Sequence, residues 1–164
     1  MEAIEATHKR VDTALKAGGD AVGAQTVIAT MPGQLPLACN NRLNELFVTN
    51  AKIAEPNVAV KDAGHFSAST DMGDVSHLLP VIHPFIGGVD GFLHTADFHV
   101  VDFKHAVLLP AKAFAMMIID LLADDAELAR QIKAEHHPLL TKEEYIAKLD
   151  NCLLYTSDAA DDLT

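Results

Sequence analysis

The sequence predicts an α/β fold, and three observations lead to it. Segments with helical apolar spacing alternate with short runs rich in β-branched residues, the element order of an α/β domain. The 164 residues, 49% of them hydrophobic, suffice for one compact domain of ordinary size and exclude disorder as the main state. Turn residues such as Pro32-Gly33, Pro56 and Gly87-Gly88 punctuate the runs where elements should change.

Residues 3–17 carry Ile4, Val11 and Leu15 on one side and charged residues on the rest, which predicts an amphipathic helix stopped by Gly18-Gly19. Residues 24–31 alternate as a strand does, and the stretch from Pro32 to Pro36 is the natural crossing between two structural units. Asn40 or Asn41 can cap a helix to about Ile53, with Leu43, Leu46, Phe47 and Asn50 at helical spacing and Pro56 ending it. A short strand is expected over 57–60 and a loop over 62–76. Two more strands are expected over 78–83 and 98–101, separated by the turn Gly87-Gly88-Val89-Asp90-Gly91.

The strongest helix is expected from Val107 to Ala123, with Pro110 in its first turn. Its middle, residues 113–119, is apolar nearly all round, which predicts packing against a sheet. Shorter helices are expected over 126–134 and 142–149, the last with Thr141 and Glu144 as a capping box. Residues 151–164 lose all periodicity and read as a non-native read-through tail.

Charge and composition narrow the partners. Twelve Lys+Arg against 23 Asp+Glu give a formal charge of −11, which argues against a phosphate-tracking face and so against nucleic acid. The acidic start lacks the basic and apolar regions of a signal peptide. The apolar run 113–119, bounded by Lys112 and Asp120, falls short of the roughly 20 residues that span a membrane. Cys39 and Cys152 show no disulfide or ligand spacing, and a cytoplasmic location without membrane attachment is expected.

Six of the nine histidines fall within residues 65–105, and three segments there can carry chemistry. Ser69-Thr70-Asp71-Met72-Gly73-Asp74-Val75-Ser76-His77 reads either as a helix cap and turn or as a set of polar groups orienting a substrate. Gly87-Gly88-Val89-Asp90-Gly91 permits close backbone approach to an anion, or is a hairpin-like turn; it lacks the lysine and helix start of a phosphate loop. In His94-Thr95-Ala96-Asp97-Phe98 a neutral imidazole can bind a divalent ion, although one histidine cannot hold a catalytic metal alone. His65 and His77 can support the Asp71 loop or lie in solvent, and His83 can face a cleft or pack. His99, His105, His136 and His137 are read as surface positions.

Taken in order, Met31-Pro32-Gly33-Gln34-Leu35-Pro36-Leu37, the Ser69 to His77 segment, Pro80-Val81-Ile82-His83-Pro84, Gly87-Gly88, His94-Thr95-Ala96-Asp97-Phe98 and Pro110-Ala111-Lys112-Ala113 resemble the C-terminal part of the aminoacylase-type di-metal amidohydrolases. The nearest branch is that of the p-aminobenzoyl-glutamate hydrolases and related dipeptidases. The resemblance spans about residues 1–150, and its specific part is Ser-Thr-Asp-Met-Gly-Asp joined to Ile-His-Pro.

The resemblance implies that residues 1–34 are the last helix and strand of an α+β lid or dimerisation domain. Residues 35–150 would then be the C-terminal part of a metallopeptidase-like catalytic domain, a central sheet flanked by helices. It further implies two divalent ions, zinc or manganese, a bridging water or hydroxide, and a glutamate as general base. His94 corresponds to the last metal ligand. Thr70, Asp71, His83, Gly87 and Gly88 would be substrate-binding, and the substrate would be an N-acyl amino acid or dipeptide-like amide such as p-aminobenzoyl-glutamate. The other ligands and the glutamate are expected upstream of the lid, so no catalytic residue is assigned within these 164 and the fragment is expected to be inactive. A homodimer or hetero-oligomer through the lid is also implied. The alternative is a non-catalytic α/β module whose glycine turn holds a small anion.

Overall fold

The computed structural model describes the chain apart from residues 1, 32, 63, 65–68 and 151–164, with backbone alone at 2, 4 and 5. It is mixed and helix-rich with one small sheet, which is α/β only in the coarse sense. Residues 151–164, Pro32 and His65 lie outside the described residues, so the expected tail, part of the expected crossing and one histidine are not described.

Helix α1 spans Glu2–Ala21 and runs through Gly18 and Gly19. The expected stop lies instead at Gly23, whose φ of 70° supplies the left-handed residue a helix end needs. The turn closes with Val22 and Ala24 donating to the Gly19 carbonyl at 3.1 and 2.9 Å. The chain then doubles back so closely that a Cβ on Gly19 would sit 1.9 Å from the Thr26 hydroxyl oxygen. Gly19 is therefore needed for close approach.

Helix α2, Asn41–Ala54, begins where its cap was expected. The Asn40 side chain accepts from Leu43 N at 3.1 Å, and its own N–H donates to Val81 O at 2.8 Å. Helix α3, Asp71–Ser76, occupies ground expected to be loop, with Thr70 at its N-cap. Strands β1, Val89–Asp90, and β2, His99–Val100, pair antiparallel, with Val89 opposite Val100 and Asp90 opposite His99. β1 thus forms inside the expected turn, and β2 is the core of the strand expected over 98–101. Residues 24–31, 57–60 and 78–83 are not strands. Their sequence suits extension, but a strand is defined by its neighbour, and among the described residues none pairs with them.

A π-helical turn, Lys104–Leu108, leads into α4, Leu109–Glu135, with Pro110 in the first turn of α4 as expected. α4 is broken at Ala123 to Ala126, where Asp124, Asp125 and Ala126 have φ of 50°, 58° and 58°. This break separates the two helices expected there and turns the second back toward α2. A last helix, α5, covers residues 142–150 behind a formed capping box: Glu144 N donates to Thr141 Oγ1 at 3.1 Å, and Thr141 N donates to Glu144 Oε2 at 2.7 Å.

The core lies between α2 and both halves of α4. Leu43, Phe47 and Ala51 meet Leu109, Ala113, Met117 and Ile132, with Ile82 and Ile86 packed alongside. Phe47 and Phe114 stack with ring centroids 4.9 Å apart. Asn50, 2% exposed, donates to Asp120 Oδ2 at 2.7 Å and to Leu46 O at 3.2 Å, so the one buried polar side chain of this seam is satisfied on both helices. α4 therefore packs on a helix, where a sheet was expected. Its opposite side, with Ile118, Ile119 and Leu122, remains exposed. By length and composition alone, Lys104–Glu135 is apolar enough to cross a membrane, a test that soluble core helices also pass.

Candidate functional site

The histidine-rich region contributes side chains from three places: α3 and its cap, the segment after Pro80, and the β1–β2 ribbon. α3 is held by a ladder of bonds to the extended segment before α2. Asp74 Oδ1 accepts from Leu35 N at 2.9 Å, and Ser76 Oγ accepts from Ala38 N at 3.0 Å while donating to Gly73 O at 2.5 Å. His77 Nε2 lies 2.9 Å from Pro36 O, a contact that requires Nε2 to carry the proton. The His77 carbonyl in turn accepts from Leu140 N at 3.1 Å. Gly73 completes the joint, because a Cβ there would fall 1.8 Å from Leu35 O. Ser76, His77 and Gly73 are buried, and the second half of the motif is thus a structural strut. Tyr145 of α5 joins it: burial, and then the neighbouring Asp74 carboxylate, push its phenol pKa up.

The first half of the motif faces outward. Thr70 Oγ1 donates to Asp71 Oδ1 at 3.0 Å and accepts from Met72 N at 3.4 Å, while Asp71 Oδ1 accepts from Met72 N at 3.0 Å. The capping reading of this segment is therefore realised, and the Asp71 carboxylate stays exposed. His83 is half-buried with its ring edge-on to Phe85 at 5.9 Å.

In the ribbon, Gly88 has φ of 89°, and a Cβ on it would lie 2.6 Å from Asp102 O and 2.7 Å from Ala106 N. Its carbonyl accepts from Val101 N and Asp102 N, both at 3.0 Å. Gly88 is thus consumed in packing the ribbon on the π-helical turn, whereas Gly87 lies in open space. Gly91 N donates to Asp90 Oδ1 at 2.8 Å, so a donor available to an anion is already occupied by the chain's own carboxylate.

His94 stands at the ribbon's tip, exposed, with φ of 65°. A non-glycine residue held in the left-handed region is uncommon, although histidine visits it more readily than most. Beside it, the Thr95 hydroxyl donates to Phe92 O at 2.6 Å and meets the Asp97 carboxylate. Among the described residues, Thr70 and Asp71 are the only pair of sequence-predicted site residues joined by a direct bond, and no group of three or more His, Cys, Asp or Glu side chains could hold a metal ion. A two-ion centre therefore does not fit the residues described by themselves.

Two features were not legible as sites. His105, read as a surface position, places Nδ1 2.6 Å from Asp102 Oδ2, and Asp102 Oδ1 accepts from His105 N at 3.2 Å. These bonds hold the Asp102 carboxyl below its usual range. Next to it, Lys104 pairs with Glu55 at 2.5 Å, which lowers the carboxyl pKa and raises the ammonium's. The i, i+3 spacing of Asp102 and His105 was the available signal. His136 buries Nε2 without a hydrogen-bond partner among the described residues, which its place in the sequence did not suggest. Two cavities lie elsewhere. A groove of about 500 Å³ follows α1 along Thr7, His8 and Val11, and a space of about 260 Å³ sits at the α4 break beside Asp120, Asp124 and Glu127.

Comparison with known protein families, curated proteins and solved structures finds no match to this chain.

Proposed function

We propose that this chain is part of a di-metal amidohydrolase that cleaves the amide of an N-acyl amino acid or dipeptide-like substrate such as p-aminobenzoyl-glutamate. The reading rests on the ordered motifs that resemble that family, and one structural observation favours it. His94, the residue matched to a metal ligand, is presented at an exposed ribbon tip in a backbone conformation that side chains adopt at a cost of about 1–3 kcal/mol. Such outliers concentrate where function demands a particular side-chain direction.

In this reading residues 1–34 are a lid or dimerisation remnant and 35–150 part of a catalytic domain whose remaining sheet lies outside these residues. When bound, the ions, zinc or manganese, would polarise the amide carbonyl and acidify a water. His94 would supply one imidazole, and the other ligands and the glutamate base would come from residues beyond these 164. Asp71, exposed and pre-oriented by the Thr70 hydroxyl, would meet the polar end of the substrate, and His83, Gly87 and Gly88 would be further substrate-binding positions. A small-molecule amide, a homodimer or hetero-oligomer formed through residues 1–34 and a cytoplasmic location complete the proposal. α4 is read as a core helix of a soluble protein, because Leu109, Ala113 and Met117 already pack on α2.

The alternative, a small-anion module built on the glycine turn, is weakened by Asp90, whose carboxylate takes the Gly91 N–H and would repel an anion there. The test is metal content and amide turnover in a longer reading frame carrying these residues, alongside His94→Ala. Loss of about one ion per chain is expected, and unchanged stoichiometry would remove the assignment. Calorimetry on the present chain separates the rival: micromolar anion binding without added metal would favour the module.

A further inference from the structure

We draw no further inference here: the strongest candidate, the exposed apolar stripe of α4 through Ile118, Ile119 and Leu122 opposite the face packed on α2, carries nothing because nothing in the structure shows what covers it.

Discussion

Alanine at Gly73 is expected to destabilise the fold, against the usual direction of a glycine-to-alanine change within a helix. Helix propensity alone would favour alanine by about 1 kcal/mol. The new Cβ, however, would sit 1.8 Å from the Leu35 carbonyl oxygen where ordinary contact begins at 3.4 Å, so α3 and residues 35–38 must part by about 1.6 Å. Both sides are backbone, and no rotamer change relieves the clash. Overpacking of this kind costs about 1–3 kcal/mol. Separation also lengthens the bonds from Leu35 N, Ala38 N and His77 to their partners, each contributing about 1 kcal/mol. With all three bonds lost, a net loss of about 3–5 kcal/mol follows, which lowers Tm by roughly 6–20 °C in a domain of this size. Thermal and urea unfolding followed by circular dichroism would measure it, with a lower urea midpoint at unchanged slope. Gly18→Ala is the control, since it lies within α1 with nothing inside 4 Å and should leave Tm unchanged or slightly higher. An unaltered or raised Tm for Gly73→Ala would refute the strut.

Three further outcomes are expected. Ala126→Gly removes a left-handed alanine at the α4 break and should stabilise by about 1 kcal/mol in urea titrations, whereas a loss would show that the break is not populated. Met117→Ala should cost about 2–5 kcal/mol, while Ile118→Ala on the opposite face stays within roughly 0.5 kcal/mol; equal effects would show that both faces are buried. The carboxyls of Glu55, Asp102 and Glu144 are held below their ordinary range by Lys104, by His105 and by the Thr141 backbone N–H, respectively. Their contribution is therefore present above the unfolded carboxyl pKa, roughly 4, and lost as pH falls through the depressed folded values. Unfolding measured across that acid range should show Glu144→Gln with a shallower pH dependence than the parent, and identical profiles would remove the role of the capping box.

Caps and helical apolar spacing were written in the sequence by itself, whereas the stop expected at Gly18-Gly19 was not. Asn40 before α2, Thr141 with Glu144 before α5, and the stripe of Leu43, Phe47 and Asn50 all operate between residues three or four apart, a distance the chain sets before any tertiary contact forms. Strands were not legible in the same way. Residues 24–31 and 78–83 have strand-like composition, yet pairing needs a second edge from elsewhere, whereas Val89-Asp90 became a strand because His99-Val100 lies opposite. The resemblance singled out the Ser69 to His77 motif without its division of labour. Only the fold shows Gly73, Asp74, Ser76 and His77 spent on residues 35–38, some forty positions away, with Thr70 and Asp71 left outward. Local chemistry depends on neighbours along the chain, and the use made of a side chain depends on what folding brings beside it.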